Sequence, residues 1–327
     1  MRKSFQVAAA TLLLASTPTA LWAQARSISA ADKATGAQAH PQLLSEFGGA
    51  YRGPQAAFVD RVGKRVAVQS GLSNATGDFT VTLLNSPVEN AFAIPGGYVY
   101  VTRQLLALMN SEAELASVLG HEVGHVAARH SSKRNTRSTI GGLAAAAIGA
   151  VTKSDLAGRA AGYGSQLYTL GFSRTQEYEA DGLGVRYIAA AGYTPYAAAD
   201  MLAELNDETS LQGMIAGRTN NGPTWMSTHP NGADRVARAQ KLAQATGAAD
   251  TTETQDTTFL RMLDGLPYDD GGKVVRIVTV RAGDTVESLA KRMAYGDHQV
   301  DRFVVLNGLD TEAPLKPGTL VKVIAAR

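Results

Sequence analysis

The sequence predicts an α+β protein: a mainly helical domain with a small β-sheet beside its central helix, followed by a small β-α-α-β domain. Three observations lead there. Apolar residues recur at helical spacing through most of residues 46 to 246. Short β-type runs, Asp78 to Asn85, Ala91 to Ile94 and Tyr98 to Val101, interrupt them. A threonine-, aspartate- and glycine-rich stretch, residues 247 to 273, then reads as a linker before a terminal segment with strand patterns at both ends. With 45% apolar residues among 327, the chain can build a substantial core, which excludes disorder or a fibre as a description of the whole.

Taken in order, Met1-Arg2-Lys3 supplies a positive head, Val7 to Ala15 an apolar run, and Ala23-Gln24-Ala25 a small-x-small site. Those are the parts of a cleavable secretory signal over residues 1 to 25. The apolar run is about half of the ~20 residues a membrane span requires, so no transmembrane helix is expected in the mature chain. Residues 26 to 45 are small and polar without a period and read as a flexible lead-in. From Pro54 to Ser70, Phe58, Val59, Val62, Val66 and Ala67 recur at helical spacing, and Gly71 stops the run. Asp78 to Asn85 places Phe79, Val81 and Leu83 on one face of a strand, and Pro95-Gly96-Gly97 makes a turn between two further β segments. Ser111 with Glu114 forms a capping box opening a helix that carries Leu115, Val118, Leu119, Val123 and Val126. Ile140 to Val151, too short to span and loosened by glycines, reads as a flap beside a cleft. Helices are expected from about Ser165 to Ala191, from Pro195 to about Glu208 and over residues 232 to 245. After the linker, residues 274 to 327 read strand, helix capped by Asp284 with Glu287, second helix, strand.

Charge and cysteine content narrow the chemistry. Lys and Arg number 31 against 29 acids, and loss of Arg2 and Lys3 with the signal leaves 29 against 29. Nucleic acid therefore has no electrostatic footprint here. With 0 cysteines, disulfides and thiolate ligands are absent, and any metal must be held by histidine and carboxylate.

His121-Glu122-Val123-Gly124-His125 fits H-E-x-x-H. Residues i and i+4 share a helix face, so both imidazoles can reach one zinc, with Glu122 beside them as the base for water. The motif sits in the middle of an apolar, capped helix, where unpaired histidines and a glutamate would carry a burial cost of several kcal/mol that a metal removes. A hydrolytic zinc needs a third protein ligand. The pattern H-E-x-x-H-x-x-G-x-x-H is excluded, because Ala128 and Ser131 stand where it requires glycine and histidine. His130 lies five residues past His125, about 140° away at 100° per residue, and reads as a surface or outer group. Glu177-Tyr178-Glu179-Ala180-Asp181 offers the carboxylate instead: Glu177 and Asp181 share a face and Glu179 points elsewhere. Glu177 can ligate while Asp181 accepts the spare N–H of a zinc histidine.

SEAELASVLGHEVGHVAARHS, NAFAIPGGYVYVTRQLL, FSRTQEYEADGLGVRYIAAAGY and THPNGADR together resemble the HtpX-like and CAAX-prenyl-protease-like zinc metallopeptidases (peptidase family M48, gluzincins), and among them the soluble periplasmic BepA-like members. The resemblance covers roughly residues 45 to 245. It implies a zincin-type fold, one zinc per chain with ligands His121, His125 and Glu177, Glu122 as catalytic base, and Asp181 as outer partner. His229 would fill the open coordination position at rest or steady the oxyanion, with Arg235 orienting it. Asn90, Ala91, Phe92 and Ala93 resemble the cleft strand whose free edge pairs with substrate backbone. The terminal segment, through its GDT, LNGL and KPG pieces, resembles a LysM module, which implies binding to peptidoglycan-type glycans.

The expected function is that of a periplasmic zinc metalloendopeptidase acting on misfolded or unassembled envelope proteins. Competing readings are a peptidase of peptidoglycan cross-links, a glycan-binding or chaperone protein whose zinc is masked by His229, and a processor of one precursor.

Overall fold

The computed structural model describes residues 27–130, 171–217, 225–230, 234–251, 255–309 and 314–327. The secretory segment and the Ile140 to Val151 flap lie outside them. The chain is α+β and mainly helical. Helix α1 (Ala30–Glu46) is capped by Ser29, whose hydroxyl accepts from the Asp32 N–H at 3.0 Å. It occupies the segment read as a flexible lead-in. Its order comes from docking rather than from pattern. Leu43 and Phe47 pack against Leu84, Phe92 and Tyr100, and Lys33 pairs with Asp78 at 2.6 Å. Gly36 permits the approach: a Cβ there would lie 2.2 Å from the Pro95 carbonyl oxygen.

Helix α2 (Pro54–Ala67) runs into a short 3-10 turn over Val68–Ser70 and stops at Gly71, whose φ of 71° suits glycine. Strands β1 (Thr80–Leu84), β2 (Ala91–Ile94) and β3 (Tyr98–Thr102) form a sheet in the order β1-β3-β2. β1 is parallel to β3, and β2 returns antiparallel through the Pro95-Gly96-Gly97 turn, leaving β2 at the sheet edge. Helix α3 (Arg103–Leu108) follows directly, then α4 (Glu112–Ala127). Ser111 caps α4 by accepting from the Glu114 N–H, but the Glu114 carboxylate accepts from the Asn110 N–H at 2.6 Å, so only half of the expected capping box forms.

Helix α5 (Arg174–Ala190) is opened by a complete Ser173/Gln176 capping box, later than the expected start near Ser165, which lies outside the described residues. Helix α6 (Ala197–Ile215) outruns its expected end at Glu208 because Glu208 and Leu211 continue its buried face. The short α7 (Trp225–Thr228) and α8 (Arg235–Ala245) complete the helical body. The stretch read as a linker contains α9 (Thr257–Leu263), with Phe259, Leu260 and Leu263 buried and Gln55 Nε2 donating to the Met262 carbonyl. Three apolar residues in a polar segment suffice to anchor it.

The terminal module is β4 (Lys273–Thr279), α10 (Val286–Ala290), α11 (Gln299–Leu306) and β5 (Leu320–Ala326), the two strands antiparallel from Lys273 opposite Ala326 to Thr279 opposite Leu320. Its capping box is Thr285 with Ser288, one residue beyond Asp284 and Glu287; Asp284 accepts instead from the Arg281 N–H. The module is continuous with the body, since one hydrophobic cluster runs from Val59 and Leu119 to Phe303 and Ile324. Among the described residues, no helix is long and apolar enough to cross a membrane.

Candidate metal centre

Helix α4 supplies His121, Glu122 and His125, all buried. Helix α5 crosses it at glycines: a Cβ on Gly124 would lie 2.9 Å from the Ala180 carbonyl oxygen, and one on Gly184 would lie 3.1 Å from the His121 backbone nitrogen. That contact brings Glu177 and Asp181 onto the histidines, as their i, i+4 spacing anticipates. Glu177 Oε2 lies 3.4 Å from His121 Nε2, and Oε1 lies 3.5 Å from His125 Nε2. The two Nε2 atoms are 2.9 Å apart, and His229 Nδ1 is 3.2 Å from His121 Nε2. Ligand atoms of His121, His125, Glu177 and His229 all fall within 4.8 Å of one another.

This donor set fits a metal. Imidazole nitrogens at such separations repel through their lone pairs unless a proton or a metal ion lies between them. Among the described residues Glu177 Oε2 is buried without a hydrogen bond, although Arg235 Nη1 is 2.9 Å away and out of alignment. Imidazoles plus one carboxylate suit zinc among the biological metals. The electrostatics agree. Burial opposes a charge on His121, yet Asp181 and Glu177 outweigh it and raise its pKa to about 9. Burial, then His121 and His229, push His125 well below its usual value. Burial favours the neutral Glu177 acid, but His229 and His121 hold the carboxyl well below the carboxylate range.

The supporting groups are ordered. His121 Nδ1 meets Asp181 Oδ1 at 3.0 Å, and Arg235 grips Asp181 with two bonds, Nε to Oδ2 at 2.8 Å and Nη2 to Oδ1 at 2.7 Å. Arg235 Nη1 also donates to the His229 carbonyl at 3.1 Å, so it positions the His229 backbone as well as the acid. Trp225 went unrecognised in the sequence. Its indole N–H donates to Glu122 Oε1 at 2.9 Å, and its ring stacks on His229 with centroids 4.4 Å apart. A tryptophan preceding T-H-P is the one local sign. Burial raises the Glu122 pKa, opposed by His229, His121 and the indole bond.

Of the two readings, surface or outer group, the structure shows His130 as the outer one. It is fully buried, with Nδ1 2.9 Å from His125 Nδ1 and Nε2 3.1 Å from Glu179 Oε2. The 140° expectation assumed a continuing helix. Helix α4 instead ends at Ala127, and Arg129 turns left-handed at φ 55°, which swings His130 back. Glu179, read as pointing elsewhere, meets the site through His130.

The four strand residues divide. Ala91 and Phe92 are buried in the two apolar clusters, and Asn90 is 1% exposed with its side-chain amide unpartnered among the described residues. Ala93 lines a cavity of about 440 Å³ that His125, Ile28, Asp32, Leu72 and Arg129 also line. The Asn90 N–H and carbonyl are themselves bonded to Thr102, at 3.1 Å and 2.9 Å.

An H-E-x-x-H helix crossed by a second helix that contributes a glutamate defines a gluzincin-type metal centre. The chain belongs to peptidase family M48: the model of that family matches residues 54–243, and a LysM domain matches residues 278–323. Similar proteins include "Mitochondrial metalloendopeptidase OMA1" of Schizosaccharomyces pombe, 29% identical over 70% of this chain and 66% of that one. "Putative beta-barrel assembly-enhancing protease" of Vibrio cholerae is 30% identical over 57% of this chain and 39% of that one. The "Beta-barrel assembly-enhancing protease" of Yersinia pestis is 27% identical over 63% and 42%. The chain thus spans between 39% and 66% of the length of these curated relatives.

Proposed function

We propose that this chain is a zinc metalloendopeptidase of the periplasm that cleaves misfolded or unassembled envelope proteins. One observation carries the reading: Glu122 sits on the helix that supplies two of the converging donors, with its carboxylate buried and held by the Trp225 indole. His121, His125 and Glu177 would hold the zinc, which supplies Lewis acidity to water and to the scissile carbonyl. Glu122 takes the proton from the attacking water and passes it to the departing amine, a task its burial-raised proton affinity suits. Asp181, fixed by Arg235, orients His121. The edge of β2, unpaired among the described residues, supports a backbone-pairing mode, which discriminates little between side chains and so fits a broad set of unfolded chains. Relatives named as beta-barrel assembly-enhancing proteases support an envelope role, and the LysM match supports contact with peptidoglycan.

Glu122→Gln should retain zinc and lose casein cleavage by at least about 100-fold. An active variant sinks the assignment. The position of His229 among the donors favours a second reading, a latent enzyme whose fourth coordination position His229 fills. Under it, His229→Ala gains proteolysis that the parent lacks, whereas a loss in His229→Ala assigns His229 to the reaction. Incubation with purified sacculi tests the wall-peptidase alternative.

A further inference from the structure

The two histidines of α4 are supported differently. His121 Nδ1 meets a carboxylate, Asp181, whereas His125 Nδ1 meets another imidazole, His130 Nδ1 at 2.9 Å. A histidine that ligates through Nε2 carries its proton on Nδ1 and donates it. His130 must then accept at Nδ1 and carry its own proton on Nε2, and Nε2 points at Glu179 Oε2, 3.1 Å away. That proton arrangement gives a partner to both ring nitrogens of His130 and to His125 Nδ1, and it leaves the His125 Nε2 lone pair directed at Glu177 and His121. The backbone is bent to make it. Arg129 adopts a left-handed conformation that costs a side-chain-bearing residue, and the return places His130 at 0% exposure. On its other face the His125 ring is stacked by Phe172, with centroids 3.8 Å apart.

We propose that His130 is a positioning residue for the metal site: it fixes the tautomer and ring of His125, and Glu179 orients His130 in turn. The inference rests on the reading of His121, His125 and Glu177 as ligands. The second ligand's direct support then comes from its own segment, whereas that of the first comes from α5.

The test is zinc affinity by chelator competition, with the visible spectrum of the cobalt-substituted protein beside it. His130→Ala should bind zinc about 10- to 100-fold more weakly and shift the cobalt bands. His130→Asn, whose Oδ1 can stand at the Nδ1 position, should recover most of that loss. Thermal unfolding of the metal-free variants reports packing separately. Glu179→Ala, at a half-exposed position, should weaken zinc binding severalfold, and it carries the test if His130→Ala does not fold. Wild-type affinity in His130→Ala, an equal loss in the Ala and Asn variants, or unchanged affinity in Glu179→Ala overturns the relay. Absence of zinc binding by the wild type would instead sink the metallopeptidase reading itself.

Discussion

Arg235 is fully buried and lies between the two acids of α5, gripping Asp181 through two nitrogens and standing 2.9 Å from Glu177. Without it, two buried carboxylates lose their counter-charge. Arg235→Met should therefore destabilise the metal-free protein by about 3–5 kcal/mol in chemical denaturation, and Arg235→Lys should recover only part, since an ammonium cannot reproduce the fork. Zinc should narrow the gap, because the ion neutralises Glu177. Glu89 presents the opposite case, a buried acid whose Oε1 has no partner among the described residues. Burial first, then the Glu208 charge, raise its pKa from 4.5 to about 8, against a backbone hydrogen bond from Trp225. The folded state thus keeps a proton that the unfolded chain releases near 4.5, and this contribution to stability is lost as pH rises through about 8. Glu89→Gln should raise the melting temperature at pH 9 far more than at pH 5; equal gains at both would refute the assignment.

At the scale of elements, the crossing of α4 and α5 decides whether ligands on different helices meet. Gly124 stands in that contact, and a methyl group there would press on the Ala180 backbone, which cannot move aside as a side chain can. Gly124→Ala should cost about 1–3 kcal/mol and weaken zinc binding by separating Glu177 from the histidines; isothermal titration with zinc checks the second effect. The elements differed in how far they were legible. The Ser111 cap and the apolar period of α4 follow local rules, and so does the i, i+4 pairing of Glu177 with Asp181. The return of His130 does not, because only a left-handed residue after the helix end produces it. Helix α1 was equally hidden, since a small polar sequence was ordered by an aromatic cluster and a glycine contact contributed largely by the hairpin.

At the scale of the molecule, the LysM domain is fused to the peptidase body. Lys322 of β5 is fully buried and donates to the carbonyls of Ala107, Leu108 and Met109, where α3 ends. Burial lowers its pKa to about 8, against the pull of Glu204, Glu114 and Glu208. Arg103 of α3 reaches the other way, to the Pro267 carbonyl and Asp270. The described structure should accordingly melt in one cooperative transition, and Lys322→Met should lower its stability by about 3–5 kcal/mol by stranding three carbonyls and the acids around them. Two separate transitions in calorimetry, one per domain, would contradict this.

The sequence by itself determined the histidine pair on one face of α4, the neighbouring Glu122, the two acids one turn apart on α5 and the β-α-α-β order of the terminal module, because each follows from a period or cap within one element. Tertiary structure alone decided that the Trp225 indole holds Glu122, that His130 returns to His125, that α1 walls the cavity beside His125, and that Lys322 joins the two domains. Those contacts depend on where separate segments stop and how closely they pack, and neither property is written in the spacing of residues along one segment.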